Sequence, residues 1–171
     1  MKNLFIIFII FNVIWLNAEM KSGIIGEKAP AISLLRMDNN KFFKSETLLG
    51  KKHIVLCFFA TWSVACALEI PKLQEIEAGI HIEDISFFLV NVRETFNTFS
   101  QFVHDKIYTF PVLMDRHGLT LKKFYGTELP LIIVINRDGI VTYQQIGYKD
   151  NNELQLIAHL KTLKKIKKCD S

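Results

Sequence analysis

Cysteine is scarce in this sequence, and no short motif contains two of them. The 171 residues include three cysteines, Cys57, Cys66 and Cys169, which excludes a small scaffold held together by several disulfides. The odd number leaves at least one thiol unpaired within a monomer. The five histidines lack the spacing, relative to one another or to a cysteine, that is typical of a metal site. We therefore expect neither a metal ion nor another cofactor.

Most of the chain also lacks an excess of basic charge. Residues 19–160 contain fifteen lysines and arginines against sixteen acidic residues, so the formal net charge of +4 comes from the ends. Five lysines lie within residues 161–171, where they suit the negative end of a C-terminal helix. No basic stripe with interleaved aromatic residues occurs elsewhere in the sequence, so we do not expect nucleic acid as a partner.

The N-terminus has the pattern of an export signal. Lys2 is followed by an apolar run over residues 4–16 and then by Asn17-Ala18, which predicts a signal peptide over residues 1–18. The run is shorter than the roughly 20 apolar residues that a membrane-spanning helix needs, and an uncleaved N-terminal membrane anchor is the alternative. Both interpretations predict an extracytoplasmic protein of the periplasm or cell envelope, where disulfides persist.

The remaining chain is long enough for one sizeable core, and we expect a single domain over residues 24–168. Apolar strands alternate with helices, which implies parallel pairing, while Asp138-Gly139 predicts a hairpin that adds an antiparallel edge. Asn39-Asn40 predicts another hairpin turn near the N-terminus. The expected fold class is α/β, with a mixed central sheet and helices on both faces.

The apolar pattern also predicts where the individual elements lie. Pro71 should kink the first predicted helix, and Gly79 should end it. The predicted strands are 53–60, 86–92, 111–114, 131–136 and 140–146, and the predicted helices are 64–78, a segment with Phe96, Phe99, Phe102 and Val103 on one face, 119–125, and a C-terminal helix with Leu154, Ile157, Leu160 and Leu163 on one face.

Several separated motifs, in this order, resemble one known family. They are the strand ending in FFATW, a helix with Cys66, Glu69 and Pro71, and the segments FLVNV, FPVLMD and LPLIIVINRDG. Together they resemble the TlpA/ResA-like extracytoplasmic thiol-disulfide oxidoreductases, over nearly all of the chain after about Gly26. The resemblance implies a thioredoxin fold with an N-terminal hairpin extension. It also implies thiol-disulfide exchange with protein or small-molecule thiols and disulfides.

The sequence departs from this family at one residue of its redox motif. Members usually have Trp-Cys-x-x-Cys, whereas this chain has Trp62 and Ser63 followed by Val-Ala and then Cys66. In the family the first cysteine attacks a substrate disulfide and the second resolves the mixed disulfide. Ser63 cannot form a disulfide, so the two-cysteine cycle within this helix is excluded. We expect Ser63 to cap the helix instead, which stabilises a helix by about 1 kcal/mol.

Cys66 and Glu69 are the predicted catalytic residues. Cys66 lies in the first helical turn, where the helix dipole favours the thiolate and burial beneath the loop at Trp62 opposes it. Glu69 follows three residues later and shares a helical face with Cys66. The resemblance makes Glu69 a proton acceptor or a modulator of the thiol pKa, and a solvated surface carboxylate is the alternative.

Leu129 and Pro130 are the predicted substrate-binding residues. Proline at the start of a core strand needs a special reason, because it cannot donate a hydrogen bond to a neighbouring strand. The resemblance implies a cis-proline opposite the cysteine helix, with the backbone of Leu129 pairing with an extended substrate. Of the other cysteines, Cys57 is expected to be a small core residue, and Cys169 an exposed one that is a candidate partner for Cys66 or for a second chain.

Three functions fit this set of residues. The first is a single-thiol oxidoreductase in which Cys66 forms mixed disulfides that a redox partner resolves. The second is a redox-inactive binding module or chaperone that holds extended segments in the groove at Leu129–Pro130. The third is a peroxiredoxin-like peroxidase, since Ser63 stands three residues before Cys66 as in that family, although Phe59 stands where those enzymes have proline.

Overall fold

A computed structural model describes residues 24–80, 84–103 and 108–166. The predicted signal peptide over residues 1–18 and the predicted roles of Cys169 lie outside the described residues, as do the side chains of Phe102 and Val103. Within the described part the strands are β1 Ser33–Arg36, β2 Phe42–Lys44, β3 His53–Phe59, β4 Ile85–Val92, β5 Val112–Asp115, β6 Leu131–Ile135 and β7 Val141–Ile146, and the α-helices are α1 Val64–Ile80, α2 Phe96–Val103, α3 Leu119–Lys123 and α4 Asn152–Ile166.

The seven strands form one sheet in the order β2-β1-β5-β4-β3-β6-β7. Strand β3 pairs in parallel with β4, and β4 with β5, whereas β6 pairs antiparallel with both β3 and β7. All seven residues of β3 are buried, as expected for a central strand covered on both faces. The predicted mixed sheet, both predicted hairpins and the thioredoxin-like α/β fold class are confirmed.

Side chains of β3 alternate between two cores, one on each face of the sheet. Leu56 and Phe58 point to a core that also contains residues of α3 and of the N-terminal segment. Cys57 and Phe59 point to the other core, which contains residues of α1, α2 and α4. The helices therefore cover both faces, as predicted, and Cys57 lies on the face that α1 covers.

Three details of the helices differ from prediction. Helix α1 continues through Gly79 to Ile80, because a helical glycine costs only about 1 kcal/mol relative to alanine and does not by itself end a helix. In α4, Leu154 is 61% exposed while Leu156 is fully buried, since a strict three-residue spacing rotates away from a face with a period of 3.6 residues. In α2, Phe99 is buried but Phe96, the first residue of the helix, is 49% exposed. The buried surface of α2 therefore does not include all of the predicted apolar face.

Candidate active site at the start of helix α1

A short loop joins β3 to α1, and Ser63 is the last residue before the helix. The backbone N–H of Ser63 donates to the carbonyl of Ala60 at 3.2 Å, which closes the turn. The hydroxyl oxygen of Ser63 accepts a hydrogen bond of 3.3 Å from the backbone N–H of Cys66. This bond satisfies one of the free N–H groups of the first helical turn, and the predicted cap is confirmed.

Glu94, just beyond the end of the neighbouring strand β4, holds this loop. One carboxylate oxygen accepts from the backbone N–H of Thr61 at 2.9 Å and from the side-chain amide of Asn91 at 2.5 Å, and the other accepts from the Thr61 hydroxyl. Glu94 and Asn91 are buried. The sequence reasoning missed Glu94. The signal available was its position just after β4, where the ends of two parallel strands meet at one edge of the sheet.

The Cys66 side chain is buried, with 1% of its surface exposed. Burial raises the pKa of the Cys66 thiol above its ordinary value, and the negative charges of Glu69 and Glu94 add to this effect. The Ser63 side chain and the Ala60 backbone act in the opposite direction and lower the pKa. Burial is the largest of these influences, and the net change of the pKa is upward.

Glu69 lies one turn further along α1 and is 2% exposed, so the alternative of a solvated surface carboxylate is wrong. Its carboxylate accepts a hydrogen bond of 3.3 Å from the side-chain amide of Gln145 on β7. The amide oxygen of Gln145 in turn accepts from the Tyr143 hydroxyl at 3.0 Å. Burial raises the pKa of Glu69, while the bond from Gln145 lowers it. Gln145 and Tyr143 were not found from the sequence.

Leu129 and Pro130 lie at the same end of the sheet as this loop. The register pairs Phe58 near the end of β3 with Leu131 at the start of β6, so Pro130 stands next to the point where β3 runs into the loop. The Leu129–Pro130 peptide bond is cis, and Pro130 is buried. Leu129 is half-buried and packs against both cores.

Apolar side chains are exposed at the start of α1. Trp62, Val64 and Leu68 are 72%, 76% and 51% exposed, respectively. Trp62 belongs to the loop, and the other two lie in the first two turns of α1. The surface at the start of this helix is therefore partly apolar, although the Cys66 thiol is covered.

Neither a metal cluster nor a membrane span is found in the described part of the chain. Among those residues, no group of three or more histidine, cysteine, aspartate or glutamate side chains could hold a metal ion. No helix within residues 24–80, 84–103 and 108–166 is long and apolar enough to cross a membrane.

Known proteins resemble this chain in sequence and in structure. The Redoxin family model matches residues 24–160. The thiol-disulfide oxidoreductase ResA of Bacillus anthracis is 27% identical over 139 residues, which span 81% of this chain and 79% of that protein. The sporulation thiol-disulfide oxidoreductase A of Bacillus subtilis is 25% identical over 101 residues, which span 57% of this chain and 61% of that protein.

Solved structures show the same fold. A putative thiol:disulfide interchange protein DsbE from Chlorobium tepidum superposes with a TM-score of 0.74 at 21% identity, over 81% of this chain and 96% of that one. StoA from Bacillus subtilis superposes with a TM-score of 0.64 at 17% identity, over 77% and 97% of the two chains. The family match, these folds and the loop-to-helix geometry agree, and the chain belongs to the Redoxin family as a TlpA/ResA-like protein with the thioredoxin fold.

Proposed function

We propose that the protein is an extracytoplasmic thioredoxin-like thiol-disulfide oxidoreductase that reacts through the single thiol of Cys66 in an atypical Ser-x-x-Cys site. One observation carries the proposal. Ser63 caps the first turn of α1, where Cys66 lies, and the buried carboxylate of Glu69 lies one turn away on the same helix. The Ser63 side chain and the Ala60 backbone lower the pKa of the Cys66 thiol against the effect of burial, and a nearby carboxylate can accept its proton.

The proposed reaction is an exchange between Cys66 and a substrate disulfide. The thiol proton of Cys66 passes to the Glu69 carboxylate, and the thiolate attacks one sulfur of the disulfide. A bond forms between Cys66 and that sulfur, the substrate S–S bond breaks, and the other sulfur leaves as a thiolate that takes up the proton. Because Cys66 is 1% exposed, the loop containing Trp62 must open before the substrate sulfur can approach.

The surface around the thiol suits an extended substrate. Leu129 and Pro130 directly precede β6, whose first residue pairs with the end of β3 just before the loop, and this position supports their predicted role in pairing with substrate backbone. The exposed side chains of Trp62, Val64 and Leu68 offer apolar contacts on the other side. We propose that the substrates are protein or small-molecule disulfides and that a redox partner returns the protein to its starting state.

The proposed location outside the cytoplasm rests on the apolar leader. Residues 1–18 would direct export, as a cleaved signal peptide or as a membrane anchor. Residues 24–168 would form the thioredoxin-like domain, and residues 161–171 its basic end. Fractionation of the native cell followed by N-terminal sequencing tests this part. A cytoplasmic protein that retains Met1 would refute it.

Reaction with a small aromatic disulfide tests the proposed chemistry. The protein with Cys169→Ser, folded and reduced, should release nitrothiobenzoate from 5,5′-dithiobis(2-nitrobenzoate). The same protein with Cys66→Ala added should release none on that time scale, because the remaining thiol, Cys57, lies inside the fully buried strand β3, where opening of the loop at Trp62 does not by itself expose it. Equal release from both proteins, or none from either without denaturant, would refute reaction through Cys66.

A second function is favoured by the exposed apolar surface. Trp62, Val64 and Leu68 are exposed at the start of α1 while the Cys66 thiol is covered, which suits a redox-inactive module that holds unfolded segments. Such a module should bind carboxymethylated α-lactalbumin, which has no free thiols, equally well after Cys66→Ser. Trp62→Ser should abolish that binding, whereas Phe42→Ser, which removes an exposed aromatic ring at the far edge of the sheet, should not.

A further inference from the structure

A second thiol lies in the same buried core as Cys66. Cys57 and Phe59 point from β3 towards α1, and Cys57 and Cys66 belong to one hydrophobic cluster. Each of the two side chains is 1% exposed, and both thiols are unpaired. The proposed function does not use Cys57. This thiol is a buried nucleophile in the same core as the reacting thiol of Cys66.

The strand register places Cys57 beneath the start of α1. Cys57 on β3 is opposite Ile132 on β6, and Ile132 is opposite Gln145 on β7. Residues directly opposite each other in antiparallel strands present their side chains on the same face. The three side chains therefore form one row across the sheet, on the face that α1 covers.

Helix α1 is hydrogen-bonded to this row through Glu69, a residue of the proposed site. The amide of Gln145 donates to the carboxylate of Glu69 at 3.3 Å, and Cys66 is one turn before Glu69. Burial raises the pKa of the Cys57 thiol well above its ordinary value, and the charges of Cys66 and Glu69 raise it further. Cys57 and Cys66 thus share one buried core, and the buried carboxylate of Glu69 lies one helical turn from Cys66.

We propose that Cys57 is the second redox thiol of this protein and resolves the mixed disulfide on Cys66 to give a Cys57–Cys66 disulfide. The inference rests on the proposed function, because it requires that Cys66 first react with a substrate. It supplies, from strand β3, the partner thiol that the helix lacks at Ser63.

In the second step, the thiol proton of Cys57 passes to the Glu69 carboxylate, which gave up its earlier proton to the first substrate thiolate. The Cys57 thiolate attacks the Cys66 sulfur, the bond between Cys66 and the substrate breaks, and the second substrate sulfur leaves as a thiolate and takes up this proton. Overall, the substrate disulfide gains two electrons and two protons, and the two cysteines lose them. A dithiol reductant, protein or small molecule, reverses the change.

Burial suits Cys57 to this step. Its raised pKa keeps the resting thiol protonated, so Cys57 does not compete with Cys66 for the incoming substrate. Once the mixed disulfide forms, the two sulfurs are held within one cluster and the attack is intramolecular. The product disulfide carries no charge, so an apolar core accommodates it more readily than either thiolate.

The mass of one tryptic peptide tests the proposal. Trypsin releases residues 53–72, which contain Cys57 and Cys66 with no lysine or arginine between them. Folded, reduced protein with Cys169→Ser is treated with a slight excess of 5,5′-dithiobis(2-nitrobenzoate), quenched in acid and digested. We expect two nitrothiobenzoate equivalents per chain and a peptide lighter by two hydrogen atoms.

Variants at Cys57 provide the matched comparison. With Cys57→Ala added, we expect one equivalent, an adduct retained on Cys66, and a lifetime of that adduct longer by at least about tenfold, because the intramolecular attack is lost. Cys57→Val, which refills the core position, should behave in the same way and guards against a packing defect. The peptide mass of the Cys169→Ser protein requires neither variant to fold.

Every other outcome overturns the proposed role of Cys57, and the products show whether the proposed function of Cys66 fails as well. If the Cys169→Ser protein stops at one adduct on Cys66, or carries one adduct on each cysteine, Cys57 is not the resolving thiol and the proposed function still stands. If no adduct or disulfide forms at Cys66 in any variant, the proposed function fails and this inference fails with it.

Discussion

A thiol at the start of a helix is subject to two opposing influences, and Cys66 shows which of them prevails here. Donors at the Ser63 hydroxyl and the Ala60 backbone favour the thiolate, while removal from water disfavours it more strongly. A reduced Cys66 therefore rests mostly as a neutral thiol near neutral pH. Reaction needs both deprotonation and exposure of the sulfur, so the free energy that each of these steps requires slows the reaction.

The pH dependence of Cys66 modification follows from this balance. The rate of alkylation by iodoacetamide, measured on the folded protein with Cys57→Val and Cys169→Ser, should rise with pH and reach its midpoint above the value of about 8.5 for an unperturbed cysteine. The raised pKa is the reason, since only the thiolate reacts. The same protein in denaturant is the control and should have the ordinary midpoint. A folded-state midpoint below the control would contradict the assignment.

Glu69 gives a prediction for stability. Its pKa is raised in the folded state by burial, so the folded protein holds this proton more tightly than the unfolded chain. Between the unfolded pKa and the folded pKa the folded state binds more protons, and its contribution to stability is lost as pH rises through that window. Glu69→Gln removes the titration and keeps the shape of the side chain.

The urea midpoints of wild type and Glu69→Gln should therefore diverge as pH rises above about 4.3, the ordinary pKa of glutamate, with the variant gaining relative to wild type. Glu75→Gln, an exposed position on the same helix, is the matched control and should show no such divergence. A difference that is constant with pH would mean that Glu69 is not buried as a titrating group.

At the scale of elements, the start of α1 depends on contacts that come from outside the helix. Ser63 supplies the cap, but the loop before it is fixed by Glu94 beyond β4, and the first turns rest on Gln145 of β7. The helix is thus positioned from strands on both sides of β3. Pro71 lies inside α1 without ending it.

Loss of the cap gives a measurable change in stability. Ser63→Ala removes the acceptor for the Cys66 backbone N–H and should lower the free energy of unfolding by about 1 kcal/mol. Ser63→Thr retains a hydroxyl and should restore most of the loss. Urea denaturation followed by circular dichroism measures both. A Ser63→Ala protein as stable as wild type would show that the cap contributes nothing.

At the scale of the whole molecule, the sheet and its two cores could be predicted from sequence, whereas the site only partly could. Continuous apolar runs identify β3, β4 and β6 because these strands are buried on both faces. The bond from Thr61 to Glu94 spans 33 residues, and that from Gln145 to Glu69 spans 76. No local pattern specifies such pairs. The burial of Cys66 is likewise a result of packing.

The loop-to-helix geometry at Ser63 leads to a prediction about the activity of the whole protein. Ser63→Cys restores the two-cysteine motif of the family at a position that already precedes the helix, at the same end of the sheet as Pro130. Because the fold already places this residue one turn before Cys66, this variant should reduce insulin disulfides with dithiothreitol at least about tenfold faster than wild type. Ser45→Cys, at another buried serine, should not. An inactive but folded Ser63→Cys protein would show that more than one thiol has been lost from this site.

The distance along the chain between the parts of the site has a consequence for biosynthesis. The core that buries Cys66 also contains Ile132 of β6 and Leu156 of α4, and all of these partners are synthesised after Cys66. Until they are added, this core is incomplete. The period when Cys66 is most accessible to oxidants is therefore the interval between its own synthesis and the synthesis of α4, and a chain shortened before β6 would lack part of the core that buries the thiol.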